Sequence, residues 1–98
     1  MLATAENIAD DARIKAAKAE IGKYVKEYKQ MIADGRNERA VSYRKRYQKY
    51  FTANEIIQQQ SRNMSNNKKL LGKGHDKSIM KLIDANRQRM LKAIEGIE

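Results

Sequence analysis

The chain has 98 residues with 21 Lys and Arg against 12 Asp and Glu, a net charge of +9, no proline and no cysteine. That length suits one small domain, 1–98, and the missing cysteines exclude disulfides and thiolate metal sites. Ile, Leu, Val and Phe make up under a fifth of the residues, which with the charge brings the chain close to the range of disorder.

Against disorder stand the absence of proline, five tyrosines and one phenylalanine in the first half and middle of the chain, and a periodic placing of the apolar residues. The expectation is an all-α protein whose helices are marginal alone and firm once packed.

The first helix is predicted over 10–34. Ile14, Ile21, Val25, Tyr28 and Ile32 fall within about 60° of one another at the 100° step of a helix. Alanines at 12, 16, 17 and 19 add helix propensity and permit close approach of a neighbour. Ile8 lies off this stripe, so the first nine residues are expected to fray or pack differently. Asp34-Gly35 supplies the stop, because glycine takes the left-handed conformation that ends helices.

Asn37 is a suitable N-cap for a second helix over 37–64. Ala40, Tyr43, Tyr47, Tyr50, Asn54, Ile57, Ser61 and Met64 alternate at three and four positions, the spacing of a coiled-coil seam. With a turn of about four residues the two helices form an antiparallel hairpin. In it, Tyr24, Tyr28 and Ile32 oppose Ala40, Tyr43 and Tyr47, and Phe51 lies just off the seam without an assigned side. Asn54 and Ser61 either fix register as buried polar residues or mark a stretch of seam open to water.

Residues 65–76 read as a flexible basic loop, with weak helix formers followed by the Gly72-Lys73-Gly74 break. A third helix over 77–96, capped by Asp76 or Ser78, carries Ile79, Ile83, Met90, Ile94 and Ile97 on one face. Arg87 intrudes on that face and narrows it. The packing seam of the whole is then Ile21, Val25, Tyr28, Ile32, Tyr43, Tyr47, Tyr50, Ile57 and Met64.

The charge is uneven along the chain. Residues 1–35 balance to zero, and the excess arises between Arg36 and Lys77. The densest block is Arg36, Arg39, Arg44, Lys45, Arg46 and Lys49, and a second stretch includes Lys68, Lys69 and Lys73. Lysine and arginine neutralise phosphates and release counterions, so both stretches are candidates for contact with nucleic acid or an acidic protein. A solvated face that keeps an assembly soluble accounts for the same block equally well. Arg44 projects about 100° from Tyr43 and is expected to stay in solvent. The tyrosines could stack on bases, but their seam spacing favours packing.

Nothing in the sequence assembles a catalytic site, and the chain is read as non-enzymatic with no metal and no cofactor. His75 is the only histidine, in a Gly74-His75-Asp76 turn, and a metal site needs several ligands. Asp10 and Asp11 are adjacent and diverge by about 100° on a helix, so they form no carboxylate pair. Gly72-Lys73-Gly74 lacks the glycine spacing and the Lys-Ser/Thr ending of a phosphate loop. No stretch approaches the roughly 18 apolar residues of a membrane span. Residues 1–6 lack the basic and apolar regions of a secretory signal, so the expected setting is intracellular or enclosed in a particle.

Four short runs carry a family likeness: Asp34-Gly35-Arg36, Ala40-Val41-Ser42-Tyr43-Arg44, Ile56-Ile57, and Ile83-Asp84-Ala85-Asn86-Arg87-Gln88-Arg89-Met90. With them, the stretch 28–93 resembles the arginine-rich helical segments near the ends of very large phage and mobile-element proteins. Those are the polyvalent or internal virion proteins that enter the host with the genome. The resemblance implies a helical structural or assembly protein of a phage-like particle, located in the virion or the host cytoplasm. Its partner would be a helical protein or another copy of the chain, and its basic surface would touch DNA or an acidic protein. The alternative is a small basic nucleic-acid-binding regulator, or an inhibitor of a host defence complex dependent on nucleic acid. A membrane-surface role fits less well, because the basic helix has tyrosines in place of a wide Leu/Phe/Trp face.

Overall fold

Four helices and no strand make up residues 5–98, the part of the chain that the computed structural model describes: α1 Ala5–Ala33, α2 Asn37–Arg46, α3 Gln48–Lys68 and α4 Asp76–Glu95. The fold is all-α, a helical hairpin followed by a further helix after a glycine-containing turn. The reading of residues 1–6 as free of a signal falls partly on residues 1–4, outside the described part.

Helix α1 begins five residues earlier than the periodicity predicts. Ile8 is 60% exposed, so this first turn owes its form to alanine propensity and to Glu6 at the positive end of the helix dipole. At the other end, Gly35 takes φ 76°. The Arg36 amide donates to the Met31 carbonyl at 2.9 Å and the Gly35 amide to Ile32 at 3.1 Å, the two bonds of a Schellman stop. This stop draws Arg36 into the cap position of α2, where no side chain caps the helix, and Asn37 falls inside the first turn. Asn37 is therefore not the N-cap.

The predicted second helix is broken at Tyr47 (φ −110°, ψ 29°), and beyond the break α3 continues to Lys68. Neither glycine nor proline causes this. The ring of Tyr24 in α1 is stacked on Tyr50 at 4.0 Å and tilted against Tyr47 at 4.8 Å, and Tyr47 in turn meets Tyr43 at 4.8 Å. At the break, Tyr47 and, three residues on, Tyr50 of α3 close on the one Tyr24 ring. Tyr28 meets Phe51 edge-on at 5.3 Å rather than Tyr43. Phe51 is buried, and Tyr43, Tyr47 and Tyr50 are only half-buried.

The aromatic cluster carries a pH dependence. The Tyr24 phenol is held above its ordinary value, first by its hydrogen bond to Tyr50 and then by loss of water, and burial does the same to Tyr43. A folded state that holds these protons more tightly keeps that stability below about pH 10, and loses it as pH rises through the raised values. The thermal midpoint should therefore be level between about pH 7 and 9 and fall above about pH 10. Tyr24→Phe with Tyr43→Phe should remove part of that fall; an identical fall in the double variant would assign it to other groups.

The main core lies between α1, α3 and α4, with α3 and α4 sharing the largest interface. Ile21, Ile57, Ile83 and Ile94 are the largest side chains fully enclosed there, joined by Ile14, Met64, Ile79 and Met90. Val25 and Tyr50 pack on its margin. Ile32, placed in the seam by its spacing, is 44% exposed, whereas Ala40 on the facing helix α2 is fully buried. Helix α4 runs antiparallel to α3: Gln60 meets Asn86, Ser61 meets Met90, and Ala53 shares a groove with Ala93.

Polar register contacts sit at Asn86 rather than at Asn54. The Asn86 side chain is 3% exposed, donates to Gln60 Oε1 at 2.9 Å and accepts from Asn67 Nδ2 at 2.9 Å. A one-step slip of α4 would break both bonds and leave a buried amide unpaired, at about 1–3 kcal/mol. Asn54 is half-buried and accepts from Gln58, while Ser61 donates to Met90 Sδ at 3.4 Å.

The connection between α3 and α4 is shorter and better bonded than a loop over 65–76. Only residues 69–75 lie outside helices, with Gly72 and Gly74 at positive φ. Asp76 and Ser78 do not cap α4; His75 holds that position without a side-chain bond. The Asp76 carboxylate instead accepts the Gly72 amide at 2.7 Å and ties the turn to the helix.

The result is a slab of 52 × 24 × 15 Å with a radius of gyration of 16.3 Å, against about 13 Å for a compact domain near this length. Long helices laid side by side leave much side-chain surface in reach of partners. That shape places the charged groups.

Candidate polyanion-binding surface

The block 36–49 occupies the hairpin end of the slab. Arg36, Arg39, Lys45, Arg46 and Lys49 are exposed and, among the described residues, form no ion pair. The Arg46 guanidinium lies 5.5 Å from the Tyr47 ring centroid and the Lys49 ammonium 5.3 Å from that of Tyr50. Such contacts are worth about 0.5–1 kcal/mol at exposed sites. They restrict the two side chains while leaving donors for a ligand.

Arg44 differs from the expectation that it stays in solvent. Its guanidinium lies 5.6 Å from the Tyr28 ring and 5.4 Å from the Phe51 ring, and Nη2 reaches Glu55 at 3.4 Å. A planar cation with apolar faces settles against aromatic rings. Arg44 is thus a packing residue with a partly exposed edge.

Lys68, Lys69 and Lys73 are exposed at the far end of α3 and in the turn after it. Lys68 lies nineteen residues of α3 beyond Lys49, at about 1.5 Å each, and farther still from Arg36. The two basic stretches form two poles and not one patch.

Between the poles lies a feature that net charge conceals. A groove of about 660 Å³ runs between α1 and α3, with Ile21, Val25 and Ile57 on its floor. Lys18, Lys26 and Lys29 rim it on α1 and Arg62 on α3, with no carboxylate. Lys15 and Lys68 border the adjoining hollow, where the one acid, Asp11, is already bonded to Arg87 at 2.8 Å. The reverse side of α1 presents Glu20, Lys23 and Glu27 beside Tyr24. Residues 1–35 balance in sum yet divide by face. A helical wheel would have found this: Lys15, Lys18, Lys26 and Lys29 fall within about 80° of one another, with Glu20 and Glu27 roughly 150° away.

His75 is exposed in the turn before α4. No three His, Cys, Asp or Glu side chains among the described residues are grouped to hold a metal ion. No helix among those residues is long and apolar enough to cross a membrane. The surface offers fixed positive charge, amide donors and acceptors, and aromatic faces, a set suited to holding an anionic polymer. No family model, curated protein or solved structure matches the chain.

Proposed function

We propose that this chain is a non-enzymatic helical assembly module of a phage-like particle, whose packed helices present a cationic hairpin end that holds nucleic acid without reading its sequence. The observation that carries this is the cluster of Arg36, Arg39, Lys45, Arg46 and Lys49, exposed and without carboxylate partners among the described residues. A cluster of unneutralised cations repels itself, and contact with phosphate relieves that repulsion while releasing counterions. The particle setting rests on the likeness of the 34–36, 40–44 and 83–90 runs to internal virion proteins.

Titration of labelled duplex DNA of two unrelated sequences at several salt concentrations tests the contact. Affinity should be equal for both sequences and fall with salt at a slope near −0.9 per phosphate neutralised. The cations are spread over the side-by-side helices of the hairpin, so about three or four contacts to one duplex are expected. Replacing Arg39, Lys45 and Arg46 together with Gln should flatten the slope by roughly one to three units and leave helicity unchanged. Absence of binding at low salt would remove nucleic acid from the reading. Detection of the chain among the proteins of purified particles tests the setting.

A further inference from the structure

We propose that the groove between α1 and α3 is a docking site for an acidic amphipathic helix of a partner protein. The partner's apolar side chains would rest on Ile21, Val25 and Ile57, and its carboxylates would meet Lys18, Lys26, Lys29 and Arg62. This goes beyond the hairpin-end reading, since it uses different residues on a different face.

Two observations choose the occupant. The first is the combination of an apolar floor with a rim of cations and no acid. Gln30, Asn54, Gln58 and Ser61 also line the groove, but a phosphodiester seated on Ile21, Val25 and Ile57 would lose water without gaining hydrogen bonds from those three. An acidic helix matches both layers, with its apolar stripe down and its carboxylates on either flank. A second copy of the chain is disfavoured by its own net charge of +9. The spacing also agrees: Lys18 and Lys29 are eleven residues apart, about 16 Å along α1, or roughly three turns of a partner helix.

The second observation is Gly22. It lies inside a long helix at ordinary helical φ, where glycine lowers helix propensity and no turn requires it. A Cβ built there meets nothing within 4 Å, so the internal packing of the chain does not require it either. Its bare backbone lowers the groove wall at the midpoint between Lys18 and Lys26. A partner helix can approach closely at that point.

The probe is a labelled synthetic helix of about eighteen residues, with leucines at i, i+3, i+4 and i+7 and glutamates flanking them. A scrambled peptide of the same composition is the control, and fluorescence anisotropy is the readout. Wild type should bind the patterned peptide at least about tenfold more tightly than the scrambled one. Gly22→Leu fills the groove and improves helix propensity, so it should keep its circular dichroism and lose about tenfold or more in affinity. Lys26→Glu with Lys29→Glu should lose at least as much.

Arg39→Gln with Lys45→Gln should stay within about twofold of wild type for the peptide while weakening DNA binding. Failure of the DNA titration would thus leave the groove result standing. Equal affinity for both peptides, no saturation up to about 1 mM, or an unaffected Gly22→Leu would each overturn the proposal. Single-stranded DNA that binds wild type but not Gly22→Leu would overturn it in favour of nucleic acid. A concentration-dependent dimer lost in Gly22→Leu would overturn it in favour of a second copy.

Discussion

Ile57→Ala should leave most of the chain unfolded at room temperature, while Tyr47→Ala should leave it folded with a lowered midpoint. Ile57 is 2% exposed and belongs to the core shared by α1, α3 and α4. Truncating a large aliphatic side chain in such a place costs about 2–5 kcal/mol, from lost transfer energy and the cavity left behind. A single core supplies only about 3–5 kcal/mol in chains below about 80 residues, and this elongated chain, poor in large aliphatic residues, gains little beyond that, so the loss is of the same size as the whole. Tyr47 is half-buried at the bend between α2 and α3, outside the main core. Its removal forfeits ring contacts with Tyr24 and Tyr43, worth about 0.5–1.5 kcal/mol each beyond their area. Circular dichroism through a urea titration separates the two variants. Equal midpoints would mean that α3 is not enclosed by α1 and α4 as described.

The contrast also shows where local pattern carries information and where it stops. The 3-4 alternation from Ala40 to Met64 marks the buried face of α3 at Ile57 and Met64, since burial of a helix face is a periodic property. Asp34-Gly35 marks the end of α1 because the stop is chemical and local. The bend at Tyr47 leaves no such trace. It coincides with the Tyr24 ring arriving from another helix, and tyrosine itself is compatible with an unbroken one.

Asn86 and Arg87 show the same limit. Arg87 reads as an interruption of the apolar face and Asn86 gives no signal, yet each is buried with partners from distant points in the chain: Gln60 and Asn67 for the amide, Asp11 for the guanidinium. Of the candidate site, the hairpin-end cations are plain in the sequence as a run. The lysine rim of the groove is present in the residues but invisible to segment totals, because Glu20 and Glu27 cancel it numerically from another face.

The Asp11–Arg87 pair leads to an asymmetric result: Asp11→Ala should destabilise the protein by about 2 kcal/mol or more, while Arg87→Met should cost little. Arg87 is 5% exposed, with Nε bonded to Asp11 Oδ1 at 2.8 Å and Nη1 at 3.5 Å from Asp84. The bond to Asp11 is the main reason that the guanidinium is held above its ordinary pKa, so it stays charged. Removing Asp11 leaves a buried cation with one long contact, and the unmet desolvation dominates. Half of the Asp11 side chain faces solvent, so water partly relieves the loss and allows it to fall below the roughly 3–5 kcal/mol of a fully buried pair. In Arg87→Met the buried position receives an apolar chain of similar length, and Asp11 is left where water can reach it. Asp11→Ala combined with Arg87→Met should then sit close to Arg87→Met alone, which a double-mutant cycle on urea midpoints would read as strong coupling. If Asp11→Ala shifted stability by under about 0.5 kcal/mol, as surface pairs do, α1 would not be anchored to α4 through this contact. The orientation of the lysine face relative to α4 would then rest on the apolar core and on the exposed Arg13–Glu98 ion pair.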